Sequence, residues 1–328
     1  MRYDERKLCG VIKMAKRIGL SIYGLSVLGK EGGRELHNIS QGQSFLDIFQ
    51  EFAEKNKGKL TTDPKKESVF VFEKIERETI KKGEQIEVDI LYGRVKTGEY
   101  GIESELVNIK SGKVDNRTPE QADLLPFGFC IAVPGGQVEK GVVLLQNIGN
   151  FGMKIALQKR MQKCFSEMKE NISVIWGQIL PKAYLDKYFD QGVLQKIRMI
   201  RYEIPEDISE RIGINYGVKQ TREERVIHKP IGFLERKQRE LAEWRTGQRS
   251  CTKIIEIEDY EYDDLKLEFE LGSSTKVISL KDTTGLKVTE DITKKVQINR
   301  GIPEFDSLKS ILKESARGYL AEMGLIEK

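Results

Sequence analysis

Apolar and polar positions along the chain follow two periods, and the switches between them mark out the elements. Residues 18–28, rich in Ile, Leu, Tyr and Val, read as a strand that ends in a glycine-containing turn at 29–33. Behind Ser44, a residue type that caps helices, Phe45, Ile48, Phe49 and Phe52 recur at three and four residues. That spacing predicts an amphipathic helix with its stripe on a sheet, leaving through the polar stretch 55–59. The period then becomes two: Ile86, Val88 and Ile90 oppose Glu87 and Asp89, so 68–75 and 85–91 read as half-buried strands joined by the turn Lys81-Lys82-Gly83. Strands follow at 101–109, 124–133 and 141–146, with Ser111-Gly112 and Pro134-Gly135-Gly136 between them. Parallel neighbours need crossovers of about a dozen residues, so these short links predict an antiparallel meander.

The second half alternates more freely. Met153, Leu157, Met161, Cys164, Phe165 and Met168 share one face of a helix predicted over 153–169. A strand at 172–179, a proline-started helix at 182–189 and a strand at 193–204 that stops at Pro205 come next. A strand near 225–227, a helix at 234–245, acidic strands within 253–271, a strand at 277–280 and a helix after Pro303 complete the series. The fold class that follows is α+β, largely antiparallel sheets with packed helices, in two subdomains: an N-terminal module at 1–170 and a C-terminal module at 171–328.

Composition narrows the chemistry. The chain of 328 residues is 39% hydrophobic and 32% charged, with 55 basic against 51 acidic side chains, so no global field demands a polyanion or membrane and any charged site must be local. The longest apolar run, 124–133, is about half the ~20 residues that span a bilayer and contains Pro126 and Gly128, so no membrane partner is expected. The first residues mix acids with bases instead of forming a secretory signal, and Cys9, Cys130, Cys164 and Cys251 form no CxxC pair. Both features point to a cytoplasmic protein with reduced thiols. With only His37 and His228, sites built from several imidazoles lose their ligands; no Walker A, GxSxG, HExxH or GxGxxG pattern occurs, and neither a metal nor a cofactor is expected.

Four constellations remain as candidate chemistry. The turn Gly149-Asn150-Phe151-Gly152 with Lys154 opens a helix, so it is either a tight connection or a phosphate site at the helix N-terminus. Residues 219–249 carry nine Lys or Arg against five Glu; Arg236, Arg239 and Arg245, with Trp244 for stacking, are placed to track a nucleic-acid backbone, or else to pair along the helix with Glu235, Glu240 and Glu243. The acidic run 256–270 offers Asp259 with Asp264-Leu265-Lys266 as an approximate nuclease metal set, against the plainer reading of a charged strand face. Arg198 and Arg201 interrupt an apolar strand, consistent with a phosphate contact, a sheet edge or an interface.

Two resemblances add to this. Arg222 and His228 match the Arg-x(4–6)-His spacing of HEPN-type ribonucleases, which implies that both would act on an RNA phosphate, although Val226-Ile227 before Pro230 reads as extended and HEPN domains are helical. At 99–108, 122–129, 141–146 and 198–205 the chain resembles a group of uncharacterised bacterial proteins of mobile elements and phage-defence islands. That likeness implies antiphage defence, by binding nucleic acid or by sensing a phage component beside a partner protein. The alternatives are a metal-dependent or HEPN-like nuclease and a non-catalytic subunit that binds another protein; the oligomeric state is left open.

Overall fold

A computed structural model describes residues 16–167, 172–178, 182–202, 209, 213, 222–258, 260–271, 274–281 and 289–327. The chain forms two compact units, one from residues 1–177 together with 289–328 and one from 178–288. The single boundary expected near 170 therefore misses the return of the chain.

The first stretch supplies β1 (Ile18–Gly29), β2 (Gly32–Gly33), α1 (Phe45–Lys55), β3 (Thr61–Asp63), β4 (Ser68–Lys82), β5 (Gln85–Glu99), β6 (Ser104–Val107), β7 (Val114–Arg117), β8 (Leu125–Pro134), β9 (Gly141–Ile148), α2 (Lys154–Ser166) and β10 (Ser173–Gln178). The second unit holds α3 (Lys182–Gln191), β11 (Val193–Arg201), β12 (Glu223–His228), α4 (Phe233–Arg236), α5 (Gln238–Arg245), β13 (Asp264–Leu271) and β14 (Ser274–Ser279). The returning segment adds β15 (Thr289–Asp291), β16 (Ile298–Asn299), β17 (Ile302–Pro303) and α6 (Phe305–Glu322). The fold class is α+β, with antiparallel pairing of β1 with β9, β4 with β5, β5 with β8 and β11 with β13.

In the first unit the main sheet runs β10-β1-β9-β8-β5-β4-β3, with β2 and β15 also on β1, so the meander expected from the short turns is present from β3 to β9. Helices cover both faces. On one, α1 starts at Ser44 through a reciprocal capping box with Asp47 and drives Phe45 and Phe49 into a ring cluster with Phe165 of α2, Phe72 and Phe129. On the other, α6 buries Phe305, Leu308, Leu312, Ala316, Tyr319 and Leu320. Its outer edge is fixed by a ladder of opposite charges: Lys309 to Glu76, Lys313 to Glu78 and Arg317 to Glu87. The stripe on this helix needed a sheet, and β8 and β9 of the first unit supply it; that is why 289–327 does not belong to a C-terminal module.

A bulge between Phe72 and Lys74 reverses the parity of β4. Beyond it Arg77 reaches α1 while Glu76 and Glu78 reach α6. Arg77 donates to both oxygens of buried Asp89 (Nε 3.0 Å to Oδ1, Nη2 2.5 Å to Oδ2) and to Asp47 at 2.6 Å, tying two strands to the first turn of α1. The predicted strand 101–109 is shorter, Ser104–Val107, and pairs with β7, which its own pattern did not announce; the two form a separate two-stranded sheet in the excursion between β5 and β8.

The second unit is a four-stranded sheet in the order β12-β11-β13-β14. Leu194, Ile197 and Met199 of β11 and Leu265, Leu267 and Phe269 of β13 form its core with Tyr188, Leu241 and partly buried Phe189 and Trp244. The acidic region forms a strand only from Asp264 onward; Cys251–Lys253 is a short 3-10 turn. Cys130, Cys164 and Cys251 are free, buried thiols, and burial pushes Cys164 up to about 12; Cys9 lies outside the described residues.

Candidate functional site

The turn before α2 is built by local constraints. Gly149 adopts φ +57°, Ile148 and Phe151 exchange two backbone hydrogen bonds of 3.0 Å, and a Cβ on Gly152 would stand 2.5 Å from Asn147 Oδ1. These contacts explain both glycines as a tight connection. Lys154 folds back with Nζ 4.1 Å from the centre of the Tyr23 ring, which packs against Trp176 at 5.9 Å.

The basic stretch does not present a row of free cations. Along α5, Arg239 donates to Glu243 at 2.8 Å, Lys237 to Glu240 at 2.9 Å, and Arg249 to the other oxygen of Glu243 at 2.7 Å. The Arg239 and Arg249 guanidiniums hold the Glu243 carboxyl below its ordinary value. Arg245 pairs with Asp186 at 2.9 Å and lies over the Phe189 ring. Trp244 donates its indole N–H to the Leu280 carbonyl at 2.9 Å and packs on Phe189, so it is part of the second unit's core and not an open stacking platform. Arg236 remains exposed; Lys219 lies outside the described residues.

Arg198 and Arg201 stand on β11, an inner strand paired on both sides, which removes the sheet-edge reading. Arg198 bridges Glu268 at 2.8 Å and Glu224 at 3.3 Å, and Lys196 shares Glu268 at 2.8 Å. Hydrogen bonds from Lys196 outweigh the opposing effect of burial and, with those from Arg198, hold Glu268 below the usual carboxylate range. Arg201 donates from Nε to the Glu261 carbonyl at 2.7 Å and lies 4.5 Å over the Tyr260 ring, beside which Arg225 stacks at 3.4 Å. The two arginines thus turn most of their contacts to carboxylates and a carbonyl of their own unit, with Arg198 Nε buried and without a hydrogen-bond partner among the described residues.

The ribonuclease-like pair is not brought together. Arg222 stands just before β12 and His228 ends it, so six extended residues separate them by ~20 Å, on the order of the 3.3 Å rise per residue of a strand. An Arg and His acting on one phosphate need a spacing that folds back, as a helix gives; the extended segment carries them apart. Of the acidic set, Asp264 and Lys266 stand 3.8 Å apart as an ion pair. Asp264 is buried, accepting from Ser279 Oγ at 2.9 Å and from the Lys281 amide at 3.1 Å, and Asp259 lies outside the described residues. Among the described residues no group of three His, Cys, Asp or Glu side chains is placed to hold a metal ion.

What sequence reasoning missed is the arm. In β6, β7 and the loops beside them, Ile102 is 65%, Leu106 57%, Val107 54%, Ile109 97% and Val114 49% exposed. The register pairs Leu106 with Asp115 and Val107 with Val114, so Leu106 and Val107 face opposite sides and both sides are open. The hairpin loop is well formed: Asn108 Oδ1 accepts from the amides of Lys110 and Ser111, and Gly112 closes the turn at φ +69°. The signal was available in the run of Ile102, Leu106, Val107, Ile109 and Val114 beside Ser111-Gly112; nothing local says that no helix covers it.

No known family model matches the chain, and a search of curated proteins finds no relative. Among the described residues no helix is long and apolar enough to cross a membrane.

Proposed function

We propose that the protein is a partner subunit that works by docking on a polypeptide through the β6–β7 arm. The observation that carries this reading is the set of aliphatic side chains left open on both faces of a two-stranded sheet. Scattered exposed apolar residues are ordinary; five within thirteen residues of one arm mark a contact surface. Burying a Val, Leu or Ile side chain fully contributes about 1.5–3 kcal/mol, so covering these half-exposed ones is worth on the order of 5 kcal/mol. An isolated two-stranded hairpin is only marginally stable in water, which gives the arm itself a gain from being covered.

Polyanion binding is driven by counterion release from an excess of cations, and Arg225, Lys237, Arg239, Arg245 and Arg249 each face a carboxylate of their own unit. That pairing supports protein docking over nucleic-acid binding. The likeness to proteins of phage-defence islands supports a cytoplasmic setting in which the polypeptide is a defence component or a phage protein. A photoreactive residue in place of Ile109, irradiated in native-host cells, is expected to yield an adduct with protein, while titration with DNA and RNA gives no steep salt slope. An arm that forms no protein adduct, on a chain whose nucleic-acid affinity falls steeply with salt, would overturn the reading.

A further inference from the structure

The structure carries this reading one step further, and we infer that the polypeptide covering the arm is a second copy of the same chain, joined antiparallel along β6. The inference rests on the docking reading and on the order of charges along the arm. Between residues 99 and 107 the only charges are Glu99, Glu103 and Glu105; between 108 and 114 they are Lys110 and Lys113. Along β6 and its turn the order is therefore acidic at the base and basic at the tip, while Arg117 and Asp115 lie on β7, the strand on the far side. Laid against a copy related by a two-fold axis, each tip meets the other base, the self-complementary arrangement that an isologous interface requires.

The sheet geometry supports the same partner. The arm's sheet holds β6 and β7 alone, so among the described residues β6 is hydrogen-bonded on one edge only. An edge strand with open donors and acceptors is a template for another strand. If the axis passes between Leu106 and Val107, antiparallel pairing sets Leu106 of each copy opposite Val107 of the other, directly opposed side chains lying about 4.5–5.5 Å apart. Lys110, in the turn that follows β6, is then carried to the same end as the other copy's Glu103, just before β6. The result is a four-stranded sheet, β7-β6-β6-β7, with Leu106 and Val107 moved from its margins to its centre. Lys113 is held by Asp115 of its own arm at 3.0 Å, which leaves Lys110 as the principal tip cation.

Sedimentation of the full chain at increasing concentration tests this, together with two charge-swapped variants: Glu103→Lys with Glu105→Lys, and Lys110→Glu with Lys113→Glu. All four positions are exposed on the arm, and circular dichroism melts confirm that the folded units are unchanged. The expected result is a wild-type dimer, at least a tenfold weaker dimer for each variant alone, and recovery when the two variants are mixed, because only the mixed pair sets every tip against a base of opposite sign. A wild-type chain that stays monomeric, or dimers indifferent to both swaps, would overturn the second-copy inference. If that monomer still gives an adduct with a different protein from position 109, the docking reading stands and only its partner is wrong. If no protein adduct forms, both fall.

Discussion

Removing the guanidinium at position 77 is the sharpest test of how the first unit is held together. Arg77 is the cation for two carboxylates, Asp89 of β5 and Asp47 of α1, and their hydrogen bonds, Asp89's above all, hold it above the ordinary arginine value. In an Arg77→Met chain Asp89, whose side chain is 5% exposed, keeps among the described residues only the Thr79 hydroxyl at 3.1 Å as a side-chain donor. Leaving one member of a buried ion pair without its partner costs about 3–5 kcal/mol. The Asp47 contact is half-exposed and adds no more than about 1 kcal/mol. With a urea dependence of about 2–3 kcal/mol per molar, the midpoint should fall by about 1–2 M.

The two tryptophans make the assay local: Trp176 belongs to the first unit and Trp244 to the second, so fluorescence in a Trp244→Phe background reports the unit that contains Arg77. Replacing both partners, Arg77→Met with Asp89→Leu, removes the orphaned charge and should recover most of the loss. A midpoint within about 0.3 M of wild type for Arg77→Met, or a double variant no better than the single one, would refute the reasoning.

Further outcomes follow from the same coordinates. In the wild type, Lys309 and Lys74 hold Glu76 below its usual value, and Asp47 is also held low because its hydrogen bonds from Arg77 and Ser44 outweigh burial. Stability from these groups is present above their unfolded-state pKa values and is lost as pH falls through the folded ones; denaturant midpoints taken downward from pH 5 should drop, and Lys309→Met should flatten that drop. Ser44→Ala removes the side-chain cap of α1 and should cost about 1 kcal/mol in urea unfolding of the first unit. Gly93→Ala places a Cβ 2.1 Å from the buried Phe129 ring, which is locked under Phe49, and should cost about 1–3 kcal/mol by overpacking. Arg239→Ala touches an exposed helical pair and should leave the urea midpoint of the second unit unchanged.

How legible these features are in the sequence depends on how far apart their causes lie. The start of α1 is written locally, in Ser44, Asp47 and the Phe45-Phe49 spacing, and it forms as the pattern says. The pairing of Arg239 with Glu243 is legible for the same reason, four residues on one helix. Arg245 with Asp186 is not, because 59 residues separate the partners, and the pattern of α6 shows a helix but not the sheet on which it lands. The bulge between Phe72 and Lys74 decides that Glu76 faces α6, although the alternation there looks uniform. The arm was half legible: its first strand and turn are in the sequence, while its isolation depends on where other elements end. Extension of Val226-Ile227 before Pro230 could be read, and it is what separates Arg222 from His228.

The return of residues 289–327 to the first unit has a consequence for biosynthesis. Ile18 donates its amide to Thr293 Oγ1 across 275 residues, and β8 and β9 wait for α6. On a ribosome adding about 5–20 residues per second, the whole second unit is made during that wait, which leaves a large apolar plane uncovered for roughly 10–30 s. Nascent chains interrupted between β9 and α6 would carry that plane permanently, and would be recognisable to chaperones and proteases as unfinished. Arrival of α6 is thereby written into the stability of the strands made long before it.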